Sequence, residues 1–380
     1  MPNNLALKSF FMGGFECADH INRSGVRINL QKETLHDKKV LQDYKNLKSI
    51  GIKVVREGVC WSEVETEPYT YDFSRLLKFF KAAQELDMQI MWDLCHFGYP
   101  DDLSPTHPLF TERFTKYCEQ FTIFHLQHCE QPPWIIPINE ISFLSWHSGD
   151  MRGTVPFAVN SGWDMKYHLC KAAIMGIKAI KALKKESVIL IVEPLIKIHP
   201  RDETTDLVEV TIRNNYQYQA MDILLGRTCP ELLGDASLID ILGFNYYYNN
   251  QWTEHNEILP WPDLTNQLIP LSELLYHASL RYTDLPIIIT ETGHFGDLRA
   301  EWLSEVIFEC SKAIQMGVDL RGMCIYPAID RPDWDDLTSY SNCGIWDLDT
   351  DFNRIPHQAS IDEIVKATAA FGIDVTEMID

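Results

Sequence analysis

The sequence predicts a single (β/α)8 barrel that spans residues 1–380. Eight short apolar runs, rich in Val, Ile and aromatic residues, recur along the chain with longer amphipathic stretches between them. This alternation is typical of βα units whose parallel strands are buried on both faces. No linker rich in Pro, Gly or Ser divides the chain, so one domain is expected. The predicted strands are 9–17, 52–58, 88–95, 134–139, 188–194, 240–245, 286–290 and 321–327.

The stretches between the runs predict helices, because their apolar residues recur at helical spacing. Segment 37–51 shows such a stripe and ends at a glycine. Segment 74–86 begins at Ser74, a residue type that caps helices well. The other predicted helices are 110–130, 163–185, 203–225, 299–317 and 358–371.

The formal net charge of −21 argues against several classes of partner. A chain this acidic is repelled by nucleic acid and by anionic lipid, so neither is expected as a partner. No segment approaches the 18 or so uninterrupted apolar residues of a membrane span. We therefore expect a small-molecule substrate, and the sequence leaves the oligomeric state open.

The ten cysteines are scattered and form no CxxC pair, which predicts reduced thiols and not a disulfide framework. The N-terminal segment lacks the features of a signal peptide. Both observations predict a cytoplasmic protein. The histidines show no HxH or HExxH spacing, and no GxGxxG or Walker motif occurs, so neither a catalytic metal nor a cofactor is expected.

Ionisable residues gather where the predicted strands end, which is where barrel enzymes place their functional groups. Glycoside hydrolysis needs one carboxylic acid and one carboxylate. Spacing alone does not select a pair among the glutamates found there. These strand-end glutamates are Glu16, Glu57, Glu140, Glu193 and Glu291.

Two of these glutamates lie in motifs that resemble the NE and TEN-G signatures of glycoside hydrolase family 1. The motifs are PINE at 137–140 and IIITETG at 287–293. Further segments are similar to family motifs and follow one another in the family's order, so that the resemblance covers most of the chain. They are IKVVREGVCW at 52–61, HFGYP at 96–100, DILGFNYYYN at 240–249, YPAIDRPDW at 326–334 and NCGIWDLD at 342–349.

The resemblance implies a role for each matching residue. Glu140 would be the general acid/base and Glu291 the nucleophile, with their carboxyl groups about 5–5.5 Å apart. Arg56 would favour the charged form of Glu291, and Tyr247 would hydrogen-bond the same carboxylate. We expect a raised pKa for Glu140, because burial and the charge of Glu291 both disfavour its ionisation.

The resemblance also implies a sugar pocket, in which Asn139 would bind the hydroxyl next to the anomeric carbon. Tyr326 stands where the family has Trp, and Asp333 stands where it has a longer Glu. Ile141 and Thr292 also depart from the family pattern. The other residues expected to bind the glycone are His96, His20, Asp333, Trp334 and Tyr326.

The sequence therefore predicts a retaining β-glycosidase of β-glucosidase or β-galactosidase type. Transglycosylation through the same intermediate is an alternative, and so is a catalytically silent carbohydrate-binding barrel. Because Arg331 is near the expected pocket, a phosphorylated glycone is a further alternative for the substrate. Glu193 is a possible rival acid, but it lacks the preceding Asn and is assigned a structural or outer role. Glu16 and Glu57 are assigned to the rim.

Overall fold

Eight parallel strands close into a barrel, as the sequence predicts. The computed structural model describes residues 5–263 and 267–374, so the two ends of the predicted domain lie outside the described residues. Each strand pairs with its neighbours in chain order, and β8 pairs with β1 to close the sheet. The strands are β1 Phe11–Gly14, β2 Val54–Gly58, β3 Gln89–Asp93, β4 Trp134–Ile136, β5 Val188–Pro194, β6 Ile241–Asn245, β7 Ile287–Thr292 and β8 Leu320–Ile325.

Helices surround the barrel. In the described part of the chain they are α1 Leu30–Glu33, α2 His36–Ser49, α3 Trp61–Val64, α4 Leu77–Leu86, α5 Phe110–His128, α6 Ile141–Gly149, α7 Gly162–Leu183, α8 Leu207–Asn215, α9 Gln219–Leu224, α10 Leu271–Arg281, α11 Arg299–Gln315 and α12 Gln358–Asp374. Three two-stranded ribbons lie outside the barrel: Glu65–Glu67 with Thr70–Tyr71, Lys197–His199 with Gln251–Thr253, and Trp346–Leu348 with Arg354–Pro356.

The strands are apolar on both faces because each face packs against a different core. One cluster of buried side chains fills the barrel interior, and a larger cluster joins the outer face of the sheet to the helices. This two-sided burial explains why the strand sequences are continuous apolar runs and do not alternate with polar residues. The interior cluster contains Met12, Val54, Met91, Trp134, Ile136, Val188, Leu190, Val192, Ile241, Ile288 and Cys324.

The helix predictions need three corrections. Ser74 does not cap α4: it begins a short 3-10 turn, Ser74–Leu76, and its own amide donates to Asp72 Oδ1 at 2.8 Å. Segment 203–225 forms two helices, α8 and α9, joined by a 3-10 turn. The predicted helices also omit α6, the short α1 and α3, and α10, whose buried residues Leu271, Leu274, Leu275 and Ala278 follow helical spacing.

All ten cysteines are free thiols, and seven of them are buried. This agrees with the absence of a disulfide framework expected from their spacing. Among the helices of residues 5–263 and 267–374, none combines the length and the apolarity needed to cross a bilayer.

A buried ionic network fastens α2 to the barrel and to the last ribbon. His36 lies between two carboxylates, with Nδ1 2.8 Å from Asp43 Oδ2 and Nε2 2.9 Å from Glu57 Oε1. Arg354 donates to both oxygens of Asp43. Burial alone would lower the pKa of His36, but the two carboxylates raise it to about 9. At neutral pH the network therefore balances two anions with two cations.

The His36 network predicts a pH-dependent contribution to stability. Because the folded pKa of about 9 exceeds the ordinary value of 6.5, the stabilisation is complete below pH 6.5 and is lost as the pH rises through 9. His36→Gln should lower the free energy of unfolding by a few kcal/mol at pH 6, and by much less at pH 10. Urea unfolding of both proteins across this range measures the difference. A difference that does not change with pH would contradict the assignment of a charged His36.

Candidate active site

A polar cluster lies at the C-terminal rim of the barrel, where successive parallel strands end side by side. Four of the residues predicted to form the site meet there, together with three further polar side chains. All seven are buried. They are Arg56 on β2, Asp93 on β3, Asn139 and Glu140 after β4, Glu193 on β5, Asn245 on β6 and Glu291 on β7.

Arg56 is the centre of this cluster. Its Nη1 donates to Glu291 Oε1 at 2.7 Å, and its Nη2 donates to Asp93 Oδ2 at 2.6 Å and to Asn139 Oδ1 at 2.8 Å. The residue is only 1% exposed, so these partners compensate a charge that water does not reach. A planar guanidinium can donate in several fixed directions at once, and a lysine cannot reproduce this.

Glu291 is held by two donors, one on each carboxylate oxygen. Arg56 binds Oε1, and the Tyr247 hydroxyl donates to Oε2 at 2.7 Å. Burial and the adjacent Glu291 raise the pKa of Tyr247 well above its ordinary value. Tyr247 therefore remains a hydroxyl and a hydrogen-bond donor throughout the neutral range. Both contacts agree with the roles that the family resemblance implies for Arg56 and Tyr247.

The environment of Glu140 disfavours a negative charge, in contrast to that of Glu291, which two donors bind. Its Oε1 accepts one hydrogen bond, from Asn245 Nδ2 at 2.8 Å, and Thr290 Oγ1 donates to Asn245 Oδ1 at 2.7 Å and so fixes that amide. Burial raises the pKa of Glu140 to about 8, and the neighbouring charge of Glu291 adds to the effect. The carboxyl group therefore keeps its proton at neutral pH, as an acid catalyst must.

Asn139 joins the two carboxyl groups into one network. Its Oδ1 accepts from Arg56 at 2.8 Å and lies 3.4 Å from Asn245 Nδ2. Its Nδ2 is buried and has no hydrogen-bond partner among the described residues. A buried amide donor without a partner is costly, and a ligand hydroxyl could satisfy it. This position is consistent with the sugar contact predicted for Asn139.

A second cluster surrounds the Tyr326 hydroxyl. That hydroxyl donates to Glu16 Oε1 at 3.2 Å and lies 3.3 Å from His96 Nε2. Tyr326 fits there because β1 has a glycine: a Cβ at Gly14 would lie 2.3 Å from a ring carbon of Tyr326. Arg331 Nε is 3.5 Å from Glu16 Oε2. Burial raises the pKa of Glu16, but His96 and Arg331 outweigh it, so that the pKa is lowered overall.

Aromatic rings form a wall beside this second cluster. The His20 and Trp334 rings meet edge to face at 5.0 Å, and the Trp334 ring lies 5.5 Å from the Phe97 ring. Burial lowers the pKa of His20 to about 3, so its imidazole is neutral. The indole Nε1 of Trp334 is buried without a hydrogen-bond partner in the described part of the chain. The structure therefore brings His20, His96, Trp334 and Tyr326 to one region, as predicted.

Asp333 lies apart from these clusters. It is exposed, and its Oδ1 accepts from the backbone amides of Asp335 and Asp336 at 2.8 and 3.2 Å. The short side chain thus closes a local turn and does not extend toward the buried carboxylates. Its expected contact with the glycone finds no support in this geometry. The preceding Asp330 is buried instead and accepts from the Cys343 amide at 2.9 Å.

Three buried residues of the site were not predicted as functional from the sequence. Asp93 accepts from both Arg56 and His96, and Asn245 orients the Glu140 carboxyl. Glu193 lies next to them at the end of β5. All three are polar residues at or near the end of an apolar run, and this pattern could have identified them as candidate site residues. Of the three, only Glu193 was among the strand-end residues considered from the sequence.

One set of side chains has the composition of a metal site. Ligand atoms of Cys17, Asp93 and His96 lie within 4.8 Å of one another. However, Asp93 Oδ2 already accepts from Arg56 at 2.6 Å and lies 2.9 Å from His96 Nδ1. Burial also raises the pKa of the Cys17 thiol well above its ordinary value, so the thiolate that a metal requires is disfavoured. Asp93 and His96 are better explained as part of the Arg56 network, and Cys17 Sγ lies 4.0 Å from the Tyr326 hydroxyl.

Comparison with solved structures shows the class of fold. The β-glucosidase from Thermotoga maritima in complex with glucoimidazole matches with a TM-score of 0.78 and 17% identity, over 96% of this chain and 99% of that chain. The family 1 β-glucosidase from Thermotoga maritima matches with a TM-score of 0.76 and 17% identity, over 95% and 99% of the two chains. No family model matches the sequence.

The chain is therefore a (β/α)8 barrel of the kind found in glycoside hydrolases. The solved structures that it matches include family 1 β-glucosidases, and they confirm the fold that the motif resemblance implies. At an identity of 16–17%, the likeness establishes the fold alone.

The environment of Glu140 predicts that it lowers stability at alkaline pH. Its folded pKa of about 8 exceeds the ordinary 4.5, so the free energy of unfolding falls as the pH rises between these values. Glu140→Gln keeps the acceptor for Asn245 but cannot ionise. This variant should melt at a higher temperature than the unmodified protein at pH 8, and the two should converge at pH 4. A variant that is less stable at both pH values would contradict the burial of an ionisable Glu140.

Proposed function

We propose that this protein is a retaining β-glycosidase in which Glu140 is the general acid/base and Glu291 is the nucleophile. The observation that carries the proposal is the unequal environment of the two carboxyl groups. Two donors bind Glu291, one of them the cationic Arg56, whereas the pKa of Glu140 is raised to about 8. A retaining mechanism needs this division, with one carboxylate ready to attack and one carboxylic acid ready to donate.

In the first step Glu140 gives its proton to the glycosidic oxygen while a Glu291 oxygen attacks the anomeric carbon. The bond to the leaving group breaks, the aglycone departs as an alcohol, and a glycosyl ester forms on Glu291. Esterification removes the charge of Glu291, and this loss favours ionisation of Glu140. Glu140 can then take a proton from water, which attacks the anomeric carbon and releases the sugar and the free Glu291 carboxylate.

The remaining residues of the site have binding roles in this proposal. Asn139 Nδ2, which has no protein partner, would donate to the hydroxyl adjacent to the anomeric carbon. His96, Tyr326, His20 and Trp334 would surround the rest of the glycone, with the neutral ring of His20 and the indole of Trp334 at its edge. Known structures of similar fold hold small sugar-like molecules, including deoxynojirimycin in the Thermotoga maritima enzyme. We therefore propose a small carbohydrate as the substrate.

We further propose that the whole chain acts as one catalytic domain in a reducing compartment, the cytoplasm. The ten free cysteines support this location, because no disulfide contributes to the fold of the described residues. The departures at Tyr326 and Asp333 leave the identity of the glycone open. Transfer to a sugar acceptor would use the same intermediate as hydrolysis.

The nucleophile assignment predicts the site of covalent labelling. A 2-deoxy-2-fluoro-β-glycoside with a good leaving group should form a slowly hydrolysed ester on Glu291, because the fluorine destabilises the transition state for turnover. Glucosyl and galactosyl reagents are both tested, and digestion followed by mass spectrometry locates the label. A label on Glu193 or on any other residue would refute the assignment.

Turnover is tested separately with aryl β-glucosides, galactosides, mannosides, fucosides and 6-phosphoglycosides. Glu291→Gln should reduce any observed rate below about a thousandth of that of the unmodified protein. A variant as active as the parent would mean that the turnover arises elsewhere. Sugar binding without turnover across the whole series would favour a silent carbohydrate-binding barrel over the proposed enzyme.

A further inference from the structure

Glu193 is a buried carboxyl group at the rim that the proposed mechanism does not use. It ends β5 and is only 1% exposed. Both of its oxygens accept from the backbone amide of Ser142, at 3.2 and 3.1 Å. The Ile141 and Ser142 amides both act to lower the pKa of Glu193. Glu193 therefore caps α6 by binding the amide of its second residue, which has no partner within the helix.

The residue immediately before α6 is Glu140, and its backbone conformation is unusual. Glu140 has φ 45° and ψ 61°, in the left-handed region that residues with a side chain seldom adopt. Such a conformation persists only where surrounding contacts hold it. Glu140 has no side-chain cap of its own at this helix terminus. The cap is supplied by Glu193 from the neighbouring strand.

The contacts on the other side of Glu140 also come from β5. The Glu140 amide donates to the carbonyl of Val192 at 3.0 Å, and Asn139 forms a parallel bridge with Val192. Val192 directly precedes Glu193 in the chain. One dipeptide of β5 thus holds the backbone on both sides of the Glu140 side chain.

We propose that Glu193 is a positioning residue that fixes the turn from which Glu140 presents its carboxyl group to Glu291. It does so by binding the backbone amide of Ser142 in α6, two residues after Glu140. Many kinds of side chain can accept a hydrogen bond from the free amides at a helix N-terminus. A carboxylate from the adjacent strand differs from these because it also brings a negative charge next to Glu140.

The charge of Glu193 gives the arrangement a measurable electrostatic effect. Burial raises the pKa of Glu193 to about 7, against the opposing effects of the Ser142 contacts and of Lys166 on α7. Its charge is one of the causes that raise the pKa of Glu140, after burial and Glu291. Of the other groups nearby, Asn245 and His96 lower the pKa of Glu140, and the Cys170 thiol on α7 faces Glu193. As the pH rises and Glu193 ionises, Glu140 should therefore hold its proton more tightly.

The expected effect of Glu193 on kcat/KM rests on the proposed function, whereas its expected effect on the pKa of Glu140 does not. Two measurements are therefore needed. The first is the titration of the Glu140 carboxyl carbon, followed by NMR of ¹³C-labelled protein and assigned with Glu140→Gln. The second is the pH profile of kcat/KM on an aryl β-glycoside. The titration can be measured whether or not the protein turns over a glycoside.

Glu193→Gln removes the charge but keeps an acceptor for the α6 amide, whereas Glu193→Ala removes both. Together the two variants separate the effect of the charge from the effect of the helix cap. Glu193→Gln should lower the pKa of Glu140 by about half a unit or more, and shift the alkaline limb of kcat/KM to lower pH by the same amount. Glu193→Ala should lower kcat about tenfold or more while KM changes less than about twofold, because the acid is misplaced and sugar contacts remain. If Glu193→Ala does not fold, Glu193→Gln alone decides the outcome.

Glu309→Gln is a matched control. Glu309 is also buried and also accepts from the second amide of a helix, that of Ser272 in α10, at 3.1 Å. It lies on α11 and not at the rim. The control should leave the Glu140 titration and the pH profile unchanged. Equal effects of the Glu193 and Glu309 variants, or an unchanged Glu140 titration in Glu193→Gln, would overturn the proposal. Absence of turnover in the unmodified protein would count against the proposed function alone.

Discussion

The buried guanidinium of Arg56 is the interaction on which the rest of the candidate site depends. It lies among Glu291, Asp93 and Asn139, within 2.6–2.8 Å of an oxygen of each. Breaking a buried ion pair by removing one partner costs about 3–5 kcal/mol, because the remaining charge is left without compensation. Strands β2, β3 and β7 and the loop after β4 are therefore joined by contacts to one cation. Glu140 accepts its hydrogen bond from Asn245 and not from this cation, and it keeps its proton at neutral pH.

Most of the fold could be predicted from the sequence, because two-sided burial leaves an unmistakable pattern of short apolar runs. All eight predicted strands are present, and the differences lie at their ends. Run 134–139 gives a strand of only three residues, Trp134–Ile136, and Asn139 pairs with β5 only through an isolated bridge to Val192 before α6 begins at Ile141. The helices were less predictable where a turn interrupts them. Apolar spacing continues across Tyr216–Tyr218, although the backbone there forms a 3-10 turn.

The site was predictable where motifs carried it and unpredictable where only tertiary contacts did. Glu140, Glu291, Arg56, Asn139 and Tyr247 each lie within a recognisable segment, and the structure brings them together. The role of Glu193 could not be predicted, because its partner Ser142 is 51 residues away in the chain. A strand-end glutamate has the same local sequence whether it caps a helix or donates a proton. A motif was not sufficient for Asp333, which was expected in the pocket although the turn that it closes keeps it at the surface.

The central claim is that Glu140 and Glu291 face one another in a single site, and the most direct test is the titration of one carboxyl group with and without the other. The claim predicts that the pKa of Glu140, raised to about 8 in the unmodified protein, falls in Glu291→Gln, because a neighbouring charge has been removed. The ¹³C resonance of the Glu140 side chain reports this pKa directly. An identical titration curve in the two proteins would mean that the two carboxyl groups do not interact, and would contradict the account.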